Sequence, residues 1–218
     1  MSKLVWDQAS EKLYETGIEQ VALYKQVAGA YPAGVAWNGV TALNITPSGA
    51  EPTALYANDA KYLTLMSVEE LGGTIEAYMY PDEWAECDGS AELVPGVFIG
   101  QQARATFGLV GKTLIGNDTE GTTFGYKIHL IYGALASPSE QSNATVNDSP
   151  EAKTMSWEFS TTPVAVAGYK PTSYICIDST KVDADKLAAL EKILYGDTDV
   201  EARLPLPDEI ATLMSAAG

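Results

Sequence analysis

The chain has 218 residues, 46% of them apolar, and a formal charge of −16. That length accommodates one or two domains and the apolar fraction a sizeable core. The charge excludes a protein whose main surface grips nucleic acid or anionic lipid. The opening MSKLVWDQAS has no apolar run of leader length, and no later stretch approaches a membrane span. The expectation is a protein made and folded in a cytoplasm, with Cys87 and Cys176 as free thiols.

In chain order, Thr16-Gly17 is a turn signal between Leu13-Tyr14 and the run Val21 to Tyr24, which predicts a hairpin or short arm and then a strand. Asn38-Gly39 is a strong turn pair. Thr41, Leu43 and Ile45 alternate, so 40–46 is expected as a strand. Residues 47–59 carry two prolines and no helical period and are expected as a long, functional loop. Strands are expected at 60–66 and 74–80, the latter with Ile75, Ala77 and Met79 on one face. Residues 81–92 are acidic and expected as a turn or one helical turn. A loop follows at 96–102 and a strand at 103–115.

The strongest β signal runs from Thr122 to Val166. Phe124, Tyr126, Ile128, Leu130 and Tyr132 share one parity, while Lys127 and His129 share the other. Met155, Trp157 and Phe159 alternate with Ser156, Glu158 and Ser160. A period of two gives each strand face its own character, and aromatic residues suit a half-buried pleated surface. Two amphipathic core strands are expected, joined by a polar loop over 136–151. The apolar run from Tyr174 to Ile177 predicts a central strand.

One helix is well specified over 183–195. Asp183 is its N-cap, Val182 and Leu187 form a staple, Leu187, Leu190 and Leu194 supply the apolar stripe, and Gly196 ends it. A second, shorter helix is expected after Pro207. The fold class is therefore mainly β with a flanking α-helix: a β-sandwich or barrel with long loops. It is expected as one domain over 1–218, with a β core over about 10–178, the flanking helix at about 183–195 and a C-terminal segment over 197–218.

No catalytic motif emerges. Gly108 to Thr113, GLVGKT, resembles the end of a phosphate loop, but Thr106 stands where the first glycine belongs and the context is β-like. His129 is the single histidine and is expected at a surface or interface. Asp82, Glu83, Glu86, Asp88 and Glu92 lack calcium-loop spacing and are expected as a solvated acidic loop. Glu76 and Glu86 are the best available carboxylate pair for a hydrolase. The four N-x-S/T matches are expected as loop and strand-end chemistry. What remains are long loops and strand edges available for pairing, which suit self-assembly.

The segments GVAWNGVTA, PSGAEPTALYAND, IEAYMYPDEWAECDGS, VFIGQQ, GYKIHLIYGALASPSE, TVNDSPEAKTMSWEFSTTPV, ALEKILYGD and RLPLPDEI resemble, in order and over almost the whole chain, the major tail (tail tube) proteins of long, non-contractile-tailed bacteriophages of Gram-positive hosts. The resemblance implies a non-enzymatic structural virion protein with no cofactor and no metal. Its subunits would form hexameric rings stacked into a hollow tube, built in the host cytoplasm and carried in the virion tail. Its partners would be copies of itself, other tail proteins at the tube ends, and double-stranded DNA passing through the lumen without specific binding. It implies no membrane partner. Candidate contact residues between subunits are Pro47, Ser48, Glu51, Pro52 and Tyr56 in one loop, and Ser139, Glu140, Asn143 and Asn147 in another. The alternative is a monomeric, virion-associated β-sandwich that binds carbohydrate, motivated by exposed Tyr and Trp.

Overall fold

A computed structural model describes residues 3–145 and 152–215. Its strands in chain order are β1 (Tyr14–Lys25), β2 (Gly34–Ala36), β3 (Val40–Gly49), β4 (Pro52–Ala57), β5 (Ala60–Met66), β6 (Glu69–Ala77), β7 (Ala91–Val94), β8 (Val97–Ile99), β9 (Phe107–Asn117), β10 (Gly121–Ala136), β11 (Met155–Thr161) and β12 (Tyr174–Asp178). Three helices accompany them: α1 (Trp84–Cys87), α2 (Ala184–Tyr195) and α3 (Pro207–Ser215). The expected mainly β class with flanking helix is the observed one, a large antiparallel sheet in a β-sandwich-like arrangement.

Eight strands form that sheet in the order β2-β1-β9-β10-β11-β6-β3, with β12 on β10 outside the path. β10 divides its far edge between two partners. Lys127 to Ile131 pair with β12, and Ala134 to Ala136 pair with β11. The sheet forks at Gly133 between them.

Gly133 has φ +61°, and the β9–β10 register shifts between Ile131 and Ala134. The extra residue of a bulge reverses the facing of everything after it. Before it, Ile128, Leu130 and Tyr132 face the helices and Ile131 faces the opposite core. After it, Ala134 and Ala136 face that opposite core. A Cβ at Gly133 would collide with the Thr162 carbonyl oxygen, so glycine alone fits.

Two apolar clusters result, one on each face of β9 and β10. The first is aromatic: Trp37, Trp84, Trp157, Phe107 and Phe159 pack with Ile75, Leu109 and Ile131. Trp84 meets Trp37, Phe107 and Trp157 at centroid distances of 4.7, 5.0 and 5.4 Å, within the range for favourable tilted and edge-to-face pairs. The second joins the sheet to α2 and α3 through Tyr24, Val110, Leu130, Tyr132, Leu187, Leu190, Leu194 and Ile210. The hydroxyls of Tyr24 and Tyr132 donate to the carbonyls of Leu194 (2.6 Å) and Pro205 (2.9 Å), so neither ring is buried with an orphan.

α2 follows its sequence signals. The Asp183 carboxylate accepts from the N–H of Asp185 (3.1 Å) and of Lys186 (3.2 Å), and the expected apolar stripe is the buried one. Val182 packs on the helix-side cluster, as a staple requires. Gly196 closes the helix with φ +81° and ψ 166°, outside the left-handed helical well expected of a C-terminal cap.

Several boundaries need correcting. Thr16-Gly17 is not a turn: β1 runs through it, with register shifts against β9 between Thr16 and Ala22. The strand expected at 74–80 is β6, which ends at Ala77 and leaves Met79 exposed. The strand expected to be central, β12, pairs among the described residues only with β10 and exposes Cys176. The loop expected at 96–102 contains β8, paired with β7. The polar connection after β10 is described as far as residue 145 and again from 152; its middle, including Asn147, lies outside the described residues.

Candidate assembly surface

The predicted loop at 47–59 is not a loop. Pro47 and Ser48 extend β3 and pair with Leu71 and Glu70 of β6, with the Ser48 hydroxyl 3.4 Å from the Glu70 carbonyl. At Glu51 the chain passes into a second hairpin. The Glu51 N–H donates to Ser67 Oγ (3.1 Å), and the Ser67 N–H donates back to the Glu51 carbonyl (3.4 Å). Pro52 then opens β4 opposite Met66, and Tyr56 lies opposite Lys61. The turn is Asn58-Asp59, both at positive φ (52° and 59°), the conformation a tight hairpin turn demands. Of the candidate contact residues, Pro52 and Tyr56 thus lie in the β4–β5 arm, Glu51 joins that arm to the sheet, and Pro47 and Ser48 belong to the large sheet.

The arm has no buried face. Every residue of β5 is exposed, and of β4 only Ala54 is partly covered. Its side chains are nonetheless apolar: Leu55, Tyr56, Tyr62, Leu63, Leu65 and Met66 are 37–73% exposed. Among the described residues, β4 and β5 pair only with each other.

A second hairpin has the same character. In β7 and β8, joined by Pro95-Gly96, Leu93, Val94, Val97, Phe98 and Ile99 are all exposed. The sequence reading missed it, although a Pro-Gly pair between two apolar runs is a hairpin signal. Near the chain start, Leu4, Val5 and Trp6 are 62–73% exposed.

The remaining candidates stand apart. Ser139 donates to the Ser137 carbonyl (3.2 Å), and Asn143 accepts from the Lys153 ammonium (2.9 Å) across the strand connection; Glu140 is exposed. No hydrogen bond joins these three to the β4–β5 arm among the described residues.

The groups considered for chemistry are placed differently from expectation. His129, expected at a surface or interface, is partly buried and hydrogen-bonded within its own chain. Its Nε2 lies 2.8 Å from Thr113 Oγ1 and 3.5 Å from Glu15, and its Nδ1 lies 2.6 Å from the Tyr174 hydroxyl. Burial, with Lys127 adding to it, holds its pKa below the ordinary 6.5 against the opposing pull of Glu15. Glu15 is held below its ordinary value by its bonds to Lys127 and to Thr113 Oγ1 (2.7 Å). The GLVGKT segment is interior β9, with Gly111 beneath Ile18 and Leu43.

Asp82, Glu83, Glu86 and Glu92 of the acidic segment are exposed, as expected, while the apolar residues between them turn inward. α1 buries Trp84 and Cys87, and burial pushes the Cys87 thiol up to about 12. Glu86 pairs with Lys25 (2.9 Å) and Asp88 with Arg104 (3.4 Å). Glu76 stands on β6 opposite Ser156. A cleft of about 630 Å³ lies between β1, β2 and the end of α2. Its one lining carboxylate, Glu19, is 3.6 Å from Lys112.

No protein-family model matches the chain, and no curated protein matches it. Among the described residues no helix is long and apolar enough to cross a membrane, and no cluster of three or more His, Cys, Asp or Glu has metal-binding geometry.

Proposed function

We propose that this protein is a self-assembling structural subunit, a tail-tube protein whose rings stack into the hollow shaft of a long, non-contractile phage tail. The β4–β5 arm carries the proposal. A lone two-stranded hairpin is marginal in water, and this one exposes Leu, Tyr and Met side chains on both faces. Its sequence makes sense when the arm lies against another molecule. Three separate apolar projections on a chain of this charge suit repeated contacts between copies, whose unpaired edges disappear on ring closure. The acidic composition suits a duct through which DNA slides, because binding phosphates would require clustered basic groups. The tail, with assembly in the host cytoplasm, is the corresponding location.

The carbohydrate-binding alternative needs an exposed aromatic platform. Trp37, Trp84 and Trp157 are spent in the core, leaving Trp6 and several tyrosines outside. Assembly is therefore favoured.

Negative-stain microscopy and sedimentation of the purified protein over a range of concentrations test the proposal. Rings or tubes are expected as concentration rises. A monomer at every concentration, retained instead on immobilised glycans, replaces assembly with the alternative.

A further inference from the structure

Residues 3–16 are attached to the body by a polar latch. The Ser10 N–H donates to Asp118 Oδ1 (2.9 Å), Asn117 Nδ2 donates to the Ser10 carbonyl (3.5 Å), and Glu15 takes the Thr113 hydroxyl and the Lys127 ammonium. Tyr14 to Thr16 pair on one side with Leu114 to Gly116 of β9. Their other edge is unpaired among the described residues, because β2 reaches only Ala22 to Tyr24. Latch partners Thr113, Asn117, Asp118 and Lys127 all belong to β9, β10 or the turn joining them, so every copy of the chain carries a complete seat.

The strap is also strained and hinged. Asp7 and Ser10 have φ of 56° and 68°, two of the eight left-handed non-glycine residues among those described, and Gln20 follows beyond the strap at 50°. Gly17 adds φ +71° at the register shift that separates the strap from the buried half of β1. Such conformations are disfavoured for side-chain-bearing residues and persist only where their surroundings hold them. Here the surroundings are exposed, and Leu4, Val5 and Trp6 find no cover among the described residues.

We propose that residues 3–16 form an exchangeable strap that leaves its own seat and pairs with the identical seat on a second copy during assembly. The latch bonds re-form unchanged on the neighbour. The balance is tipped by extending the left-handed residues and by carrying Leu4, Val5 and Trp6 onto the neighbour's surface, which is how exchange of an identical element joins protomers at low cost. This inference rests on the assembly reading above.

The test uses the full chain with Cys176→Ser, Thr16→Cys and Leu114→Cys. Thr16 and Leu114 are register partners, a separation a disulfide can span. Oxidation of dilute monomer should form the bridge within a chain and abolish tube formation, with reduction restoring it. Assembly under reducing conditions followed by oxidation should give a ladder of covalently joined chains on a denaturing gel. If assembled material yields only single chains after efficient oxidation, exchange is overturned while assembly stands. If neither the parent nor the reduced variant assembles, the assembly reading falls and the exchange with it. Should the strand substitutions impair folding, the exposed pair Ser10→Cys and Asp118→Cys, joined by a short bis-thiol reagent, gives the same two readouts.

Discussion

Glu15, Lys127, His129 and Thr113 determine how the molecule responds to acid. Glu15 is held below its ordinary 4.5, so the unfolded chain takes that proton first. Its stabilisation is complete above the unfolded value and is lost as pH falls through 4.5 toward the folded one. His129 is held below 6.5, so the unfolded chain again protonates first and stability declines as pH falls through 6.5. Because His129 is the only histidine, the thermal midpoint of His129→Gln should be flatter between neutrality and pH 5 than that of the parent. An identical slope would show that the two states of His129 have the same proton affinity. Glu15→Gln should likewise shrink the later loss near 4.5. Gly133→Ala places a Cβ against the Thr162 carbonyl at φ +61° and should cost about 2 kcal/mol or more, read by denaturant unfolding.

Elements divide into those packed into the two cores and those whose apolar side chains are left uncovered among the described residues. α2 belongs to the first group: Asp183→Ala removes a cap that satisfies two N–H groups and should cost about 1 kcal/mol of monomer stability. The β4–β5 arm belongs to the second. Leu63→Glu changes an exposed residue, so the monomer should keep its stability to within about 0.5 kcal/mol. Assembly should be lost in sedimentation, because the substitution places a charge beside Leu55, its cross-strand partner on the same face of the hairpin. A destabilised monomer that still assembles would reassign the arm to the core. The β7–β8 hairpin provides a parallel case through Phe98→Glu.

At the scale of the whole molecule, the charge of −16 governs encounters with DNA. Most cations that could meet a phosphate are engaged, as Lys25 is with Glu86, Lys127 with Glu15 and Arg203 with Glu209. The protein should not retard duplex DNA in a gel even at low salt. Retardation that weakens steeply with added salt would mark a basic tract and contradict a passive duct.

The sequence by itself determined the strand-rich class, the alternation of β11, and α2 down to its cap and stripe. Those signals are local: a period of two, a capping carboxylate and a leucine stripe act within a few residues of one another. Pro47, Ser48, Glu51, Pro52 and Tyr56 were legible as lying outside the core because they lack a core period, yet their strands and hairpin were hidden. Its partner strand β5 has apolar residues of both parities, which periodicity cannot orient. Three further features depend on long-range packing. Gly133 reverses the facing of β10, so that Ala134 and Ala136 join the same aromatic core as Ile131, a consequence of register with β9 and not of composition. His129 enters a partly buried network assembled from β1, β9, β10 and β12, elements distant in sequence. The two apolar hairpins and the strap are identified as uncovered because exposure belongs to the packed molecule: the same leucines and tyrosines would have read as core had another part of the chain folded over them.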